Sequence, residues 1–310
     1  MKKFSLLALI LCMLVSITAC TTQTTNSTQE KTAITDALGN TEYLSKDARV
    51  VCGFSSFAEM WLLSGGSLVG VTDDAISERG LDVGDNAEII GTVKHIDLEK
   101  VVSLQPDYVI LSADLTAHMS LKESLESMNV PYGYFKEDTF DDYKAIMEQF
   151  CKINDREDLY EEKVLNVEKE INDIKAQIPE TDSTCLVIRA FSTGMKAKSD
   201  ANLAGLILKE FGLTNIAEND KSMLEDLSLE HIVKQDPDYI FVLTMGNEDD
   251  AKKYLQENVQ NNPAWSELSA VKNERFYMLP KNLFHNKPNN RWSESYEYIA
   301  KLVCPEIFGK

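Results

Sequence analysis

Two segments of the chain, 131 residues apart, repeat one pattern. The first runs Leu98-Glu99-Lys100-Val101-Val102, then Gln105-Pro106-Asp107-Tyr108, into the apolar Val109-Ile110-Leu111. The second runs Leu229-Glu230-His231-Ile232-Val233, then Asp236-Pro237-Asp238-Tyr239, into Ile240-Phe241-Val242-Leu243. Glutamate and proline stand seven residues apart in both copies. A unit repeated at so long a distance implies two lobes of related architecture. In each copy Asp97 or Ser228 stands where a helix N-cap belongs, and the glutamate falls in the first turn, where the helix dipole favours negative charge. Pro-Asp then ends the helix before a buried strand. Capping alone accounts for one carboxylate in such a place; the same placement twice points to a surface role for Glu99 and Glu230.

Around the repeat, helix-like and strand-like segments alternate. Ile34 to Val51 reads as a hairpin turning at Gly39-Asn40, followed by a Phe57–Ser64 helix, a Leu68–Val71 strand, an Asp97–Leu104 helix, a Tyr108–Leu111 strand and a Leu121–Met128 helix. That alternation predicts an α/β fold with a mainly parallel sheet. A long polar helix is predicted over 156–178, with Pro179 beyond it; Tyr160, Val164, Val167, Ile171, Ile174 and Ile178 form one narrow apolar stripe. At 1.5 Å per residue it would be about 34 Å long, enough to cross a domain. The expected organisation is therefore an N-terminal α/β lobe over 34–155, a connecting helix over 156–178 and a C-terminal α/β lobe over 179–310.

The first residues set the expected compartment. Lys2 and Lys3 precede an apolar run from Phe4 to Ile17, and residues 1–19 read as a signal peptide. Ile17-Thr18-Ala19-Cys20 is similar to a bacterial lipobox, so Cys20 is expected to carry the lipid and residues 20–33 to form a polar tether at the outer face of the cell membrane. Past residue 19, 29 Lys and Arg face 50 Asp and Glu, a net charge of −21. Such a surface disfavours nucleic acid as a partner, since phosphate binding needs concentrated positive charge. Cys52, Cys151, Cys185 and Cys304 are widely spaced with no CxxC, which excludes a zinc knuckle and favours buried thiols. The chain also lacks GxSxG, HExxH, GxGxxG and the P-loop pattern, so no catalytic residue is nominated and an enzyme is not expected.

Taken in order, Thr35-Asp36-Ala37-Leu38-Gly39 with Arg49-Val50-Val51, Val69-Gly70-Val71, Gly91-Thr92, the two Leu-Glu and Pro-Asp units and the central helix resemble one family. It is that of the substrate-binding proteins of ABC importers for iron-siderophores, haem and cobalamin. The resemblance implies two Rossmann-like lobes joined by a single long helix, a ligand cleft between them, and modest closure. It also implies that Glu99 and Glu230 pair with arginines of the permease subunits, and that no cofactor is bound covalently.

The cleft is expected among the loops that follow the strands. Those loops carry Lys94, Arg189, Lys196, Lys198, Lys281, Lys287 and Arg291, a cationic set within an anionic chain that suggests an anionic ligand. Phe54, Phe191, Phe284 and Trp292 offer flat walls for a chelate or macrocycle, although Trp292 also fits a helical core position. The expected ligand is an Fe(III) chelate, siderophore-type or haem, contacted by Phe54, Lys94, His95, Arg189, Phe191, Phe284, His285, Lys287 and Arg291. Haem would call for an axial ligand from His95, His118, His285, Tyr132 or Tyr134. Cobalamin-binding relatives place an aromatic wall six residues before each glutamate, where this chain has Val93 and Leu224, which weighs against a corrinoid. A bare zinc or manganese site is not expected, because it would need nearly every one of the four histidines, His95, His118, His231 and His285. The alternatives are a corrinoid-binding or other small-ligand importer component, or a lipoprotein that senses the ligand and reports it to a membrane partner.

Overall fold

The computed structural model describes residues 30–225 and 227–309; the expected signal peptide, Cys20 and most of the tether lie outside them. The described chain opens with an antiparallel hairpin, β1 (Thr32–Thr35) and β2 (Thr41–Leu44), closed by a turn in which the Asp36 carboxylate accepts the N–H groups of Leu38 and Asn40. Strand pairing begins with Thr32 against Leu44, inside the stretch read as tether, because β-branched Thr32, Ile34 and Thr35 suit an extended ladder.

Two sheets follow, each built from one part of the chain. The first contains β3 (Val50–Cys52), β4 (Leu68–Val71) and β5 (Glu88–Ile89); after the small hairpin of β6 (Gly91–Thr92) and β7 (His95–Ile96) it is completed by β8 (Tyr108–Ser112) and β9 (Tyr132–Phe135). Its strands are all parallel, in the order β5-β4-β3-β8-β9. The second is built on β10 (Thr184–Phe191), with β11 (Gly194–Lys198) antiparallel at one side and β12 (Thr214–Asn215) parallel to its start. Parallel strands β13 (Tyr239–Thr244) and β14 (Phe276–Met278) extend its other side.

Because side chains alternate across a strand, each buried strand feeds two cores. Val51, Val109 and Leu111 pack on the outer face of the first sheet, and Leu186, Ile188, Ile240 and Val242 on the outer face of the second. Val50, Cys52, Tyr108 and Ile110 from the first sheet join Cys185, Val187, Tyr239 and Phe241 from the second in one continuous core. That shared core also takes Val164, Val167 and Ile171 from the helical run between the sheets, and Trp292, Tyr296 and Ile299 from the C-terminal helix Trp292–Val303.

The chain passes from one sheet to the other through a helical run over 157–175: α-helix Glu157–Tyr160, a wider π-turn Glu161–Leu165, and α-helix Asn166–Lys175. Its buried stripe matches the apolar spacing, but its ends are tighter than 156–178. Arg156 is outside the helical region at φ −133°, and Gln177 and Ile178 turn back through i→i−3 bonds to Ile174 and Lys175. Pro179 disfavours the α conformation at the residue before it, which is why the helix closes early. Cys52, Cys151, Cys185 and Cys304 are all free and buried. Among the described residues no helix is long and apolar enough to cross a membrane.

Candidate ligand-binding site

Strand β10 brings the main feature of the site. Arg189 is half-buried within an otherwise apolar strand, and next to it on β11 the partner of Val187 is Lys198. Both line a cavity of about 210 Å³ that also takes Asn202, His285, Lys287 and Trp292, with Phe284 and Asp138 at its edge. Asp138 follows β9 of the first sheet, so the cavity lies between the two sheets.

Three polar atoms on this wall are buried and have no hydrogen-bond partner: Arg189 Nε, His285 Nδ1 and Asn202 Oδ1. Leaving such an atom unpaired costs about 1–3 kcal/mol, so three on one wall mark a place where a polar ligand would supply the missing bonds. Asn202 is the N-cap of helix Leu203–Glu210, yet its side chain makes no cap bond. Asn202 and Leu203, at the start of that helix, both line the cavity, so the positive end of the helix dipole lies close to it, which favours an anion. Gly205 lets this helix approach the preceding loop: a Cβ there would meet the Ser199 carbonyl at 2.6 Å.

The electrostatics agree in sign. Burial pushes the Arg189 guanidinium below its ordinary pKa. Burial also lowers Lys198, helped by the neighbouring charges of Arg189 and Lys196. Among the described residues no salt bridge reaches Arg189 or Lys198. Burial, with Lys281 and Arg189 nearby, pushes the His285 imidazole down to about 4, so it is neutral at neutral pH. An entering anion would relieve all of these groups at once.

A second cavity, of about 160 Å³, lies against the first sheet and is lined by Phe54, Phe57, Ser112, Asp114, Leu115 and Glu137, together with Lys287. Phe54 and Phe57 meet edge-on with centroids 5.6 Å apart. Lys287 borders both cavities, and its ammonium is held by the Glu137 carbonyl and by the Asp138 carboxylate at 3.2 Å. Burial would raise the Asp138 carboxyl, but hydrogen bonds and charges from Lys136 and Lys287 outweigh it and hold it low.

Of the nine residues expected at the ligand, Arg189, Phe284, His285 and Lys287 line the first cavity and Phe54 the second. Four line neither. Lys94 and His95 are exposed on the β6–β7 hairpin, which carries their side chains on its own small ladder. Phe191 folds over its own β10–β11 turn, where its ring covers Gly194. Arg291 reaches the Asn282 carbonyl at 3.5 Å at the start of the C-terminal helix. Lys198, named among the cations of the cleft loops, and Trp292, named both as a flat wall and as a core aromatic, also line the first cavity. Asn202, Asp138 and Glu137 had no motif to announce them; an Asn before the apolar Leu203–Leu208 run signals only a helix start.

His118 is spoken for: its Nδ1 accepts the Ser112 N–H at 3.0 Å, which leaves Nε2 to donate to the Val93 carbonyl at 2.9 Å. Among the described residues no group of three or more His, Cys, Asp or Glu is placed to hold a metal ion.

The two repeated units are built alike. Asp97 accepts the N–H groups of Glu99 and Lys100 at 3.1 and 3.2 Å, and Ser228 accepts that of His231 at 3.3 Å. Helices Leu98–Ser103 and Leu229–Gln235 then end at left-handed residues, Gln105 (φ 48°) and Asp236 (φ 42°). Asp107 accepts the Arg49 N–H and Asp238 the Thr184 N–H, at 2.7 and 2.8 Å, fastening each unit to the start of the neighbouring strand. Glu99 and Glu230 are both exposed, and among the described residues no salt bridge reaches either.

A family model described as periplasmic binding protein matches residues 50–283. The chain is 26% identical over 321 residues to the Fe(3+)-citrate-binding protein YfmC of Bacillus subtilis, covering 100% of this chain and 98% of that one. It is 30% identical over 288 residues to the petrobactin-binding protein YclQ of the same organism, covering 88% and 89%. Among solved structures, the triscatecholate siderophore binding protein FeuA of Bacillus subtilis, complexed with ferri-bacillibactin, superposes with a TM-score of 0.67 at 20% identity, over 89% of this chain and 98% of that one.

Proposed function

Because the chain belongs to the periplasmic binding protein family, we propose that it captures a ferric chelate outside the cytoplasm and delivers it to the permease of an ABC importer. One observation carries the proposal: Arg189 Nε, Asn202 Oδ1 and His285 Nδ1 stand buried and unpaired around one cavity between the sheets. The oxygens of a ferric chelate would accept from Arg189 and Lys198, and an amide or hydroxyl of the same ligand would donate to Asn202. Phe54 and Phe57 supply an apolar wall for its organic part. The iron travels as cargo, coordinated by the chelator's own donors, and no catalytic step is assigned to the chain.

Glu99 and Glu230 are proposed as the permease contacts, one on each repeated unit. Cleavage before Cys20 and lipidation of that cysteine are proposed to hold the protein at the outer face of the membrane. Haem is the second reading, favoured by the neutral imidazole of His285, whose Nδ1 has no partner.

The test is a fluorescence titration of residues 20–310 with ferric citrate, ferric petrobactin and haemin, each against its iron-free form. Trp292 lines the cavity and serves as the reporter. Saturable quenching by a ferric chelate, lost on Arg189→Gln, is the expected result. Haemin alone saturating would move the assignment to haem, and no response to any of the three would overturn it.

A further inference from the structure

Ligand pockets in proteins run to about 300–1,000 Å³. Neither cavity reaches that alone, at about 210 Å³ and about 160 Å³, and only together do they enter the range. Among the described residues Lys287 is the one that lines both. Its main chain is fixed: the Lys287 carbonyl accepts from Arg79 at 3.0 Å, and nearby Asn289 donates to the Ser56 carbonyl at 3.1 Å. Its side chain is held less firmly. The ammonium is bound by the Glu137 carbonyl and by the Asp138 carboxylate at 3.2 Å, but 31% of the lysine side chain and 41% of the aspartate side chain are exposed.

That ion pair shares its cavity with an unpaired cationic wall. Asp138 lines the first cavity with Arg189 and Lys198, and Arg189 Nε has no partner. An anion drawn to Arg189 and Lys198 meets a carboxylate of like charge, and finds the cation shared with the second cavity already taken. Asp138 does not depend on that cation alone: Lys136 holds it at 2.9 Å and also reaches Asp114 at 3.3 Å. Loss of Lys287 therefore leaves the carboxylate paired. The lysine rides on a flexible four-carbon stem, so it can change partners while its main chain stays in place. A part-exposed ion pair is weak, whereas an ammonium bonded to a ligand anion between the two sheets is less screened.

We infer that Lys287 is a gate between the two cavities, held shut by Asp138, and that a polyanionic ferric chelate opens it by taking the ammonium for itself. The inference rests on the ferric-chelate reading above and adds to it how the site selects. A ligand with a single anionic group is satisfied by Arg189 and Lys198 and leaves the gate closed. One with further anionic groups reaches the ammonium as well, draws it from Asp138 and joins the two cavities, so that its organic part meets Phe54 and Phe57. Asp138 thus sets a threshold of ligand charge that must be passed before the full site forms.

The experiment is calorimetric titration of residues 20–310 with ferric citrate, or with whichever of ferric petrobactin and haemin the parent chain binds instead. It compares the parent chain, Asp138→Asn, Lys287→Met and the double variant, each checked by thermal melting, with Asp138→Ser as a second removal of the charge. Asp138→Asn keeps the size of the side chain and releases the ammonium, so the ligand is expected to bind about two- to fivefold tighter, as for loss of a part-exposed ion pair. Lys287→Met is expected to weaken binding about tenfold, since the ligand loses a charged hydrogen bond. In that background Asp138→Asn is expected to change nothing, because no gate remains to be released. An equal gain in both backgrounds would show that Asp138 merely repels anions, and the gate is overturned. It is overturned too if the folded Asp138 variants bind no tighter than the parent chain, or if Lys287→Met binds as tightly. If the parent chain binds none of the three ligands, the ferric-chelate reading fails and the gate with it.

Discussion

The indole Nε1 of Trp292 donates to the Glu137 carboxylate across 3.3 Å, joining the last long helix of the chain to the segment that leaves the first sheet. The Ser56 hydroxyl reaches the other carboxylate oxygen at 3.4 Å, and the Lys287 ammonium holds the Glu137 carbonyl. Asn289 continues the contact: its amide bonds the Ser56 carbonyl at 3.1 Å and the Glu59 carboxylate at 2.5 Å, and Arg79 pairs with Glu59 while donating to the Lys287 carbonyl. A buried polar network thus clasps the segment after β14 onto the first sheet, beside the proposed ligand cavity.

Glu137 is 1% exposed, and burial raises its carboxyl to about 7 against the pull of Lys287, Trp292, Arg79 and Ser56. A carboxyl whose folded pKa is raised binds its proton more tightly in the folded state. The stabilisation is complete below about 4.5, is lost as pH rises toward about 7, and changes no further above that. Glu137→Gln cannot ionise, so relative to the parent chain it should gain on the order of 3 kcal/mol across that window. Urea unfolding of both proteins through the window checks this; a constant difference would contradict it.

Arg189 holds a half-buried charge with no counter-ion among the described residues. Arg189→Met should therefore raise the melting temperature of the ligand-free protein, because it removes an uncompensated cation. The same change should weaken ferric citrate binding by roughly ten- to a hundredfold, the worth of a charged hydrogen bond of about 1.5–3 kcal/mol. Calorimetric titration alongside thermal melting separates the two effects, and a destabilised variant with normal affinity would refute the assignment.

Asn289 combines a left-handed backbone, φ 53°, with three side-chain bonds to Ser56 and Glu59. Asn289→Gly keeps the backbone geometry and loses only the bonds; Asn289→Ala loses both. Glycine is expected to cost about 1–3 kcal/mol and alanine about 1 kcal/mol more. Chemical denaturation of the pair checks the order, and alanine as stable as glycine would show that the backbone carries no strain.

Ile171 lies in the core that both sheets share. Ile171→Ala should cost about 2–5 kcal/mol and move the whole transition rather than one part of it. Differential scanning calorimetry of residues 20–310 is expected to give one cooperative peak for both proteins. Two separated peaks would show that each sheet keeps its own core.

Much of this architecture is legible in the chain itself. The unbroken apolar runs Val109–Leu111 and Ile240–Leu243, the N-caps at Asp97 and Ser228, and the stripe Val164, Val167 and Ile171 are local signals. Each follows from backbone geometry and side-chain chemistry within a few residues. They determined two related α/β units, a helix between them, and matching glutamates on the surface. The tertiary structure decided which loop residues meet. Arg189 and His285 are 96 positions apart, and Ser56 and Asn289 are 233 apart. No periodicity links such pairs, because they meet only where two sheets and the returning C-terminal segment pack together. Lys94 and Lys198 look alike as loop or strand-end lysines, yet one is exposed on a small hairpin and the other lines the cavity. Burial, lost hydrogen bonds and lowered pKa values belong to an environment assembled from distant segments, and that environment exists only once the chain has folded.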